Sequence, residues 1–162
     1  MMKWQGVFPA ITTPFAEDLS IDFQFLGQHL EELLAAGSQG FVPLGSLGES
    51  ATLTFDEKRE VLAACRRTIG DRAPLVAGIA ALSTAEAIAL AREAERIGCD
   101  GLMVLPPYVY RGDDRETEAH FSSVISATSL PCMLYNNPIA YGTDVLPGTV
   151  LELAASTPIC RP

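Results

Sequence analysis

The chain has 162 residues, enough for one domain or part of a larger one. Apolar residues make up 48% of it and charged residues 19%, a balance that excludes an intrinsically disordered chain. Eleven Lys and Arg against twenty Asp and Glu give a net charge of -9; nucleic acid and anionic membrane surfaces both need basic protein surface, so neither is expected as a partner.

Short apolar runs alternate with longer stretches of helical period. The first run, residues 6–12, reads as a strand. The pattern predicts a helix over 22–36, with Phe25, Leu26, His29, Leu30, Leu33 and Leu34 on one side and Gly37 as its stop. A second strand is predicted at 40–44. Thr54 is a good N-cap for the next helix, with Asp56 and Glu57 in its first turn and Gly70 at its end. A third strand at 75–79 is followed by a helix capped by Ser83 or Thr84 and stopped by Gly98. A strand at 101–105, a weaker helix over 115–126, a strand at 132–135 and a helix begun by Pro147 complete the series. The segments 36–44 and 97–105 repeat one pattern, a helix stop, a G-x-x-G turn and a buried strand, two βα units of about 30 residues apart.

Strands of nearly continuous apolar character suit a parallel sheet buried on both faces. Five βα units fit either an open doubly wound sheet or part of an eight-stranded barrel. A complete barrel needs roughly 250 residues. The segment after the first predicted strand, Ile11-Thr12-Thr13-Pro14-Phe15, is not the Gly-rich phosphate loop expected of a lone open sheet, which favours the barrel. The expected fold is therefore α/β, residues 1–162 forming a single incomplete TIM-barrel domain of about five βα units.

No apolar run is long enough to span a membrane, and Pro9 and Pro14 interrupt the apolar start, which lacks the pattern of a signal peptide. A cytoplasmic protein is expected. Cys65, Cys99, Cys132 and Cys160 are widely spaced, with no C-x-x-C, and read as buried thiols rather than a disulfide framework or a zinc site. His29 and His120 read as structural, and no metal is implied.

Chemistry in parallel βα folds sits where strands end and loops begin. Residues 45–50, GSLGES, offer two glycines for close backbone approach, a hydroxyl at Ser46, and amides able to hold a carboxylate or phosphate. A plain tight turn accounts for the glycines equally well. Tyr135, at the end of a buried strand, is either a core residue or a phenol aimed into a site as a proton shuttle. Tyr108 and Tyr110 lie in a Pro-bounded loop, where interface packing is the plainer alternative.

In this order, GSLGES, the P-P-Y loop and L-Y-N-x-P, together with G-x-x-P-A-x-x-T-P-F at the start, resemble the dihydrodipicolinate synthase / N-acetylneuraminate lyase family over essentially the whole chain. The resemblance implies a (β/α)8 barrel, commonly a homotetramer, and a lyase that works without a cofactor on pyruvate or another 2-oxo acid through a Schiff base to a lysine on the sixth strand. It implies that Ser46 and Leu47, with Gly48 in the same loop, bind the carboxylate of the 2-oxo acid. Ser46 relays protons to Tyr135, the general acid/base. Thr12 and Thr13 form the pocket floor, and Tyr108 joins the substrate-binding set.

Three positions depart from the synthase pattern. Leu47 replaces a second hydroxyl residue, Val109 replaces a tyrosine that reaches a neighbouring subunit, and Ala140 stands where synthases carry an arginine that grips the second substrate's carboxylate. G-S-L-G-E and A-Y-G-x-D are closer to branches using other acids, such as 1-pyrroline-4-hydroxy-2-carboxylate deaminases or sugar-acid dehydratases. The only lysines are Lys3 and Lys58, neither on a strand end, so no Schiff-base lysine is expected in this chain. The chain by itself is therefore expected to be inactive, as the N-terminal part of a lyase or as a truncated, non-catalytic remnant or interaction module. An unrelated open α/β binding protein is the remaining reading.

Overall fold

The structure is a computed structural model that describes residues 2–107 and 109–157. Helix α1 (Phe23–Ala35) starts where Asp22 accepts a hydrogen bond from the Phe25 amide, and ends before Gly37, whose φ of 94° strongly favours glycine. Helix α2 (Phe55–Ile69) opens with a reciprocal box between Thr54 and Glu57. Strand β1 (Val76–Ile79) leads to α3 (Thr84–Ile97), capped by Ser83 and closed by Gly98. Strand β2 (Gly101–Val104) leads to α4 (Asp114–Ile125), which begins one residue earlier than expected because Asp113 and Glu116 form a second box. Strand β3 (Cys132–Leu134) is followed by a one-turn helix α5 (Pro138–Tyr141), which the periodicity does not reveal, and by α6 (Pro147–Ser156). A side-chain N-cap is worth about 1 kcal/mol, so four of them fix the register of α1 to α4.

The three strands pair in parallel in the order β1-β2-β3, with Val76 opposite Gly101 and Leu102 opposite Cys132. The expected strands at 6–12 and 40–44 are reduced to single parallel bridges, Ala10 to Val42 and Phe41 to Leu75. The reason is chemical. Pro9 and Pro43 accept from the Val42 and Gly78 amides, at 3.0 and 2.9 Å, but have no N–H to return. The two runs still extend the sheet in chain order.

Helices α1 to α4 and α6 lie on one face. Ala77, Ile79, Leu102, Val104 and Cys132 point into a layer shared with Leu30, Leu62, Leu90, Phe121 and other buried helix residues. The alternate positions Val76, Met103 and Met133 point the other way, toward Trp4, Phe8, Tyr135 and Tyr141. A doubly wound sheet would carry α1 to α4 on both faces, so this arrangement decides for an arc of a barrel. Each fully buried aliphatic or Phe side chain in the outer layer contributes about 1.5–3 kcal/mol. Along the inner face runs a groove of about 400 Å³, lined by Trp4, Phe8, Val42, Met103, Met133 and Tyr135.

Most buried side-chain polar atoms are paired; Ser50 Oγ and Arg66 Nε are buried without a partner among the described residues. Lys58 of α2 is 3% exposed, and its ammonium donates to Glu86 Oε1 of α3 at 2.9 Å. Burial pushes the thiols of Cys65 and Cys99 up to about 12, so both are inert at neutral pH. Cys132 is buried too, and Cys160 lies outside the described residues.

His120 is buried and held at both ring nitrogens. Its Nδ1 lies 2.9 Å from Thr84 Oγ1 and its Nε2 lies 3.2 Å from the Leu105 carbonyl. A carbonyl only accepts, so Nε2 carries a proton, while the Thr84 hydroxyl can serve Nδ1 as donor or acceptor. Burial lowers its pKa, with the Leu105 bond opposing. The unfolded chain takes up this proton below about pH 6.5 while the folded chain resists it. Stability is therefore expected to fall as pH drops below that point, and to level off under the folded value. The urea midpoint should be lower at pH 5.5 than at pH 7.5, and His120→Gln should flatten the difference. The lowered carboxylates Glu31, Glu57, Glu93 and Glu95 add a separate loss only below about pH 4.5.

Candidate active site

The loop GSLGES begins where the run 40–44 turns sharply. Leu44 is fully buried with a φ of 63°, and Glu49 has a φ of 53°. Two non-glycine residues in the left-handed region bracket the loop, and each costs of the order of 1–3 kcal/mol, which the surrounding packing must hold in place. Gly78 of β1 does much of this: a Cβ there would stand 2.6 Å from the carbonyl carbon of Leu44 and 2.8 Å from the amide nitrogen of Gly45. Gly48 is buried close to the backbone of Leu44 and Ile11.

The loop's hydrogen bonds are few and specific. Thr13, 5% exposed, donates its hydroxyl to the Gly48 carbonyl at 2.7 Å, supporting the loop from the end of the first run. The neighbouring Thr12 is exposed. Gly48 N–H donates to Gly45 O at 3.0 Å and Glu49 N–H to Ser46 O at 3.1 Å. Among the described residues, the N–H groups of Ser46 and Leu47 have no protein acceptor. Leu47 itself is 69% exposed.

The second half of the site follows β3. Asn136 clamps the segment, donating to Asp144 Oδ1 at 2.9 Å and to Val145 O at 3.1 Å while accepting from Val145 N–H. Asn137 caps α5 through Ala140 N–H and donates its side-chain amide to the Tyr135 phenol oxygen at 3.3 Å. Gly142, with φ 68°, ends the turn, and the Arg111 guanidinium packs where its missing side chain would be. This single turn returns Tyr141 to the mouth of GSLGES. Tyr141 is buried, and its phenol and the Ser46 hydroxyl share a hydrogen bond in which either can donate. The Tyr135 and Tyr141 rings meet edge to face, with centroids 6.0 Å apart.

Ser46, Leu47, Gly48 and Thr13 are thus brought together, and Tyr135 is joined to them through Tyr141. Tyr108 lies outside the described residues. Tyr110 is turned away: its hydroxyl donates to both Glu116 carboxylate oxygens at 3.0 Å, and that carboxylate pushes its pKa up. Val109 is 81% exposed. Tyr141 is the residue that sequence reasoning missed. The signal was present in N-P-x-x-Y-G: an Asn cap, a Pro at the first helical position and a Gly stop bring the Tyr back over the cap. Lys58 lines a separate cavity of about 150 Å³ with Ala51, Leu53, Ala80, Ala81 and Glu86.

Residues 3–160 match the Dihydrodipicolinate synthetase family. The chain belongs to this family. A 4-hydroxy-tetrahydrodipicolinate synthase from Chelativorans sp. is 41% identical over 152 residues, covering 94% of this chain and 52% of that protein. The 4-hydroxy-tetrahydrodipicolinate synthase structure from Methylacidiphilum fumariolicum SolV superposes with a TM-score of 0.92 at 38% identity, over 96% of this chain and 51% of that one. A dihydrodipicolinate synthase from Acinetobacter baumannii complexed with pyruvate superposes with a TM-score of 0.92 at 32% identity, over 97% and 54%. The chain therefore spans about half the length of the dihydrodipicolinate synthetase relatives it matches, and its α/β arc corresponds to part of their TIM barrel.

Proposed function

We propose that this chain carries the carboxylate cradle and the proton-transfer groups of a Schiff-base lyase acting on pyruvate or another 2-oxo acid. The observation that carries this reading is the adjacent pair of amides at Ser46 and Leu47, neither with a protein acceptor among the described residues, beside the hydroxyls of Ser46 and Tyr141. Two adjacent N–H groups on a rigid turn match the two oxygens of a carboxylate. Tyr135, half-buried and steadied by Asn137, is the acid and base at the reacting carbonyl carbon. Thr13 acts indirectly, by fixing the Gly48 carbonyl.

Imine formation joins a neutral amine to the 2-oxo carbon and releases the carbonyl oxygen as water, with protons passed to and from that oxygen. Lys58 is held by Glu86 in its own cavity, and Lys3 is exposed ahead of the first run. In this reading the amine comes from the part of the relatives that residues 1–162 do not span. Two family pyruvate complexes, that of the Acinetobacter baumannii synthase and that of a prophage protein from E. coli K12, support pyruvate as the probe.

Pyruvate titrated into the nitrogen-15-labelled chain should shift the Ser46 and Leu47 amide resonances, and pyruvamide, which has no carboxylate, should not. Borohydride added to the pyruvate mixture should leave the mass of the chain unchanged. Shifts confined to other residues, or a reduced adduct on Lys3 or Lys58, would overturn the reading.

A further inference from the structure

We propose that Tyr141 is a positioning residue of this site: its phenol holds the Ser46 hydroxyl and, through it, sets the Ser46 and Leu47 amides of the cradle, while its ring packs edge-on against Tyr135. This rests on the reading of GSLGES as the carboxylate cradle. Three observations carry it. Tyr141 is buried although it follows the exposed residues Pro138, Ile139 and Ala140, so the one-turn helix exists to turn this side chain inward. Its hydroxyl meets Ser46, 95 positions away in sequence, and thereby ties the loop after the 40–44 run to the loop after β3. Its ring lies edge-on to Tyr135, whose own hydroxyl takes the Asn137 amide. The Ser46 hydroxyl therefore has its phenol partner at Tyr141, and Tyr135 is left to face the inner groove, which it lines. The exposed Leu47 side chain gives the loop no anchor of its own on that side, so the Ser46 link adds a side-chain tie to the backbone bonds that shape the turn there.

The test is a double-mutant cycle on the whole chain, read as pyruvate affinity by amide titration. Tyr141→Phe keeps the ring and its packing on Tyr135 while removing the hydroxyl. It should weaken pyruvate binding by about fivefold, the worth of one net hydrogen bond. In a Ser46→Ala background it should cost nothing further, and Ser46→Thr, which keeps a hydroxyl, should restore the sensitivity. An equal loss in both backgrounds, or no loss in either, would overturn the proposal. A wild-type chain that does not bind pyruvate would instead remove the cradle reading. The pair is then judged by the carbon-13 resonance of the Tyr141 phenol carbon: a shift in Ser46→Ala that is absent in Ser46→Thr supports it, and no shift in either refutes it.

Discussion

Gly78→Ala is expected to be among the most damaging single-methyl changes in the chain. The added carbon would meet backbone atoms of Leu44 and Gly45 at 2.6–2.8 Å, and backbone cannot rotate away as a side chain can. Relief requires β1 and the start of GSLGES to separate, in a sheet whose neighbours Phe41 and Leu75 share only a single bridge. Overpacking of a well-filled interior costs about 1–3 kcal/mol, and a backbone clash belongs at or above the upper end. Urea unfolding should show a loss of about 3 kcal/mol or more. Whatever folded fraction remains should have displaced Ser46 and Leu47 amides and no response to pyruvate. Gly148→Ala is the matched control: in α6 an added carbon meets nothing within 4 Å, and the change should stabilise by about 0.5 kcal/mol. Wild-type stability in Gly78→Ala would contradict the close approach of β1 to the loop.

Glu86→Ala should be nearly as costly, by a different route. Lys58 is 4% exposed in its side chain, and the walls of its cavity are otherwise the apolar Ala51, Leu53, Ala80, Ala81 and Leu82. Removing the carboxylate leaves a buried ammonium without its counter-charge, which typically costs about 3–5 kcal/mol. Glu86 is itself 34% exposed, so the lower end, about 3 kcal/mol, is expected. Adding Lys58→Met to Glu86→Ala should return the midpoint close to wild type, because an apolar side chain of similar length removes the stranded charge. Failure of that second change to rescue would show that the loss came from α3 itself, whose Ser83 cap engages the Glu86 amide.

Most of the framework is legible in the sequence because its signals are local. Asp22, Thr54 and Ser83 start helices, and Gly37, Gly70 and Gly98 stop them, wherever the rest of the chain goes. The strands at 75–79, 101–105 and 132–135 are readable as apolar runs for the same reason. The runs at 6–12 and 40–44 are found in place, but their ladder is lost to Pro9 and Pro43, which composition-weighted apolarity does not register. The site is legible in part. GSLGES and Tyr135 stand on strand ends and can be picked out by position. Tyr141 depends on a contact spanning 95 residues, and no periodicity encodes it. The same limit applies to Lys58, whose burial comes from the meeting of α2, α3 and the segment after β1.

Trp4 is the only tryptophan in the sequence, and it lines the same groove as Tyr135. The chain therefore carries a built-in fluorophore on its inner face. Its emission colour follows the hydration of that groove, so the filling or drying of the cleft is readable without a label, in a spectrum to which no second indole contributes.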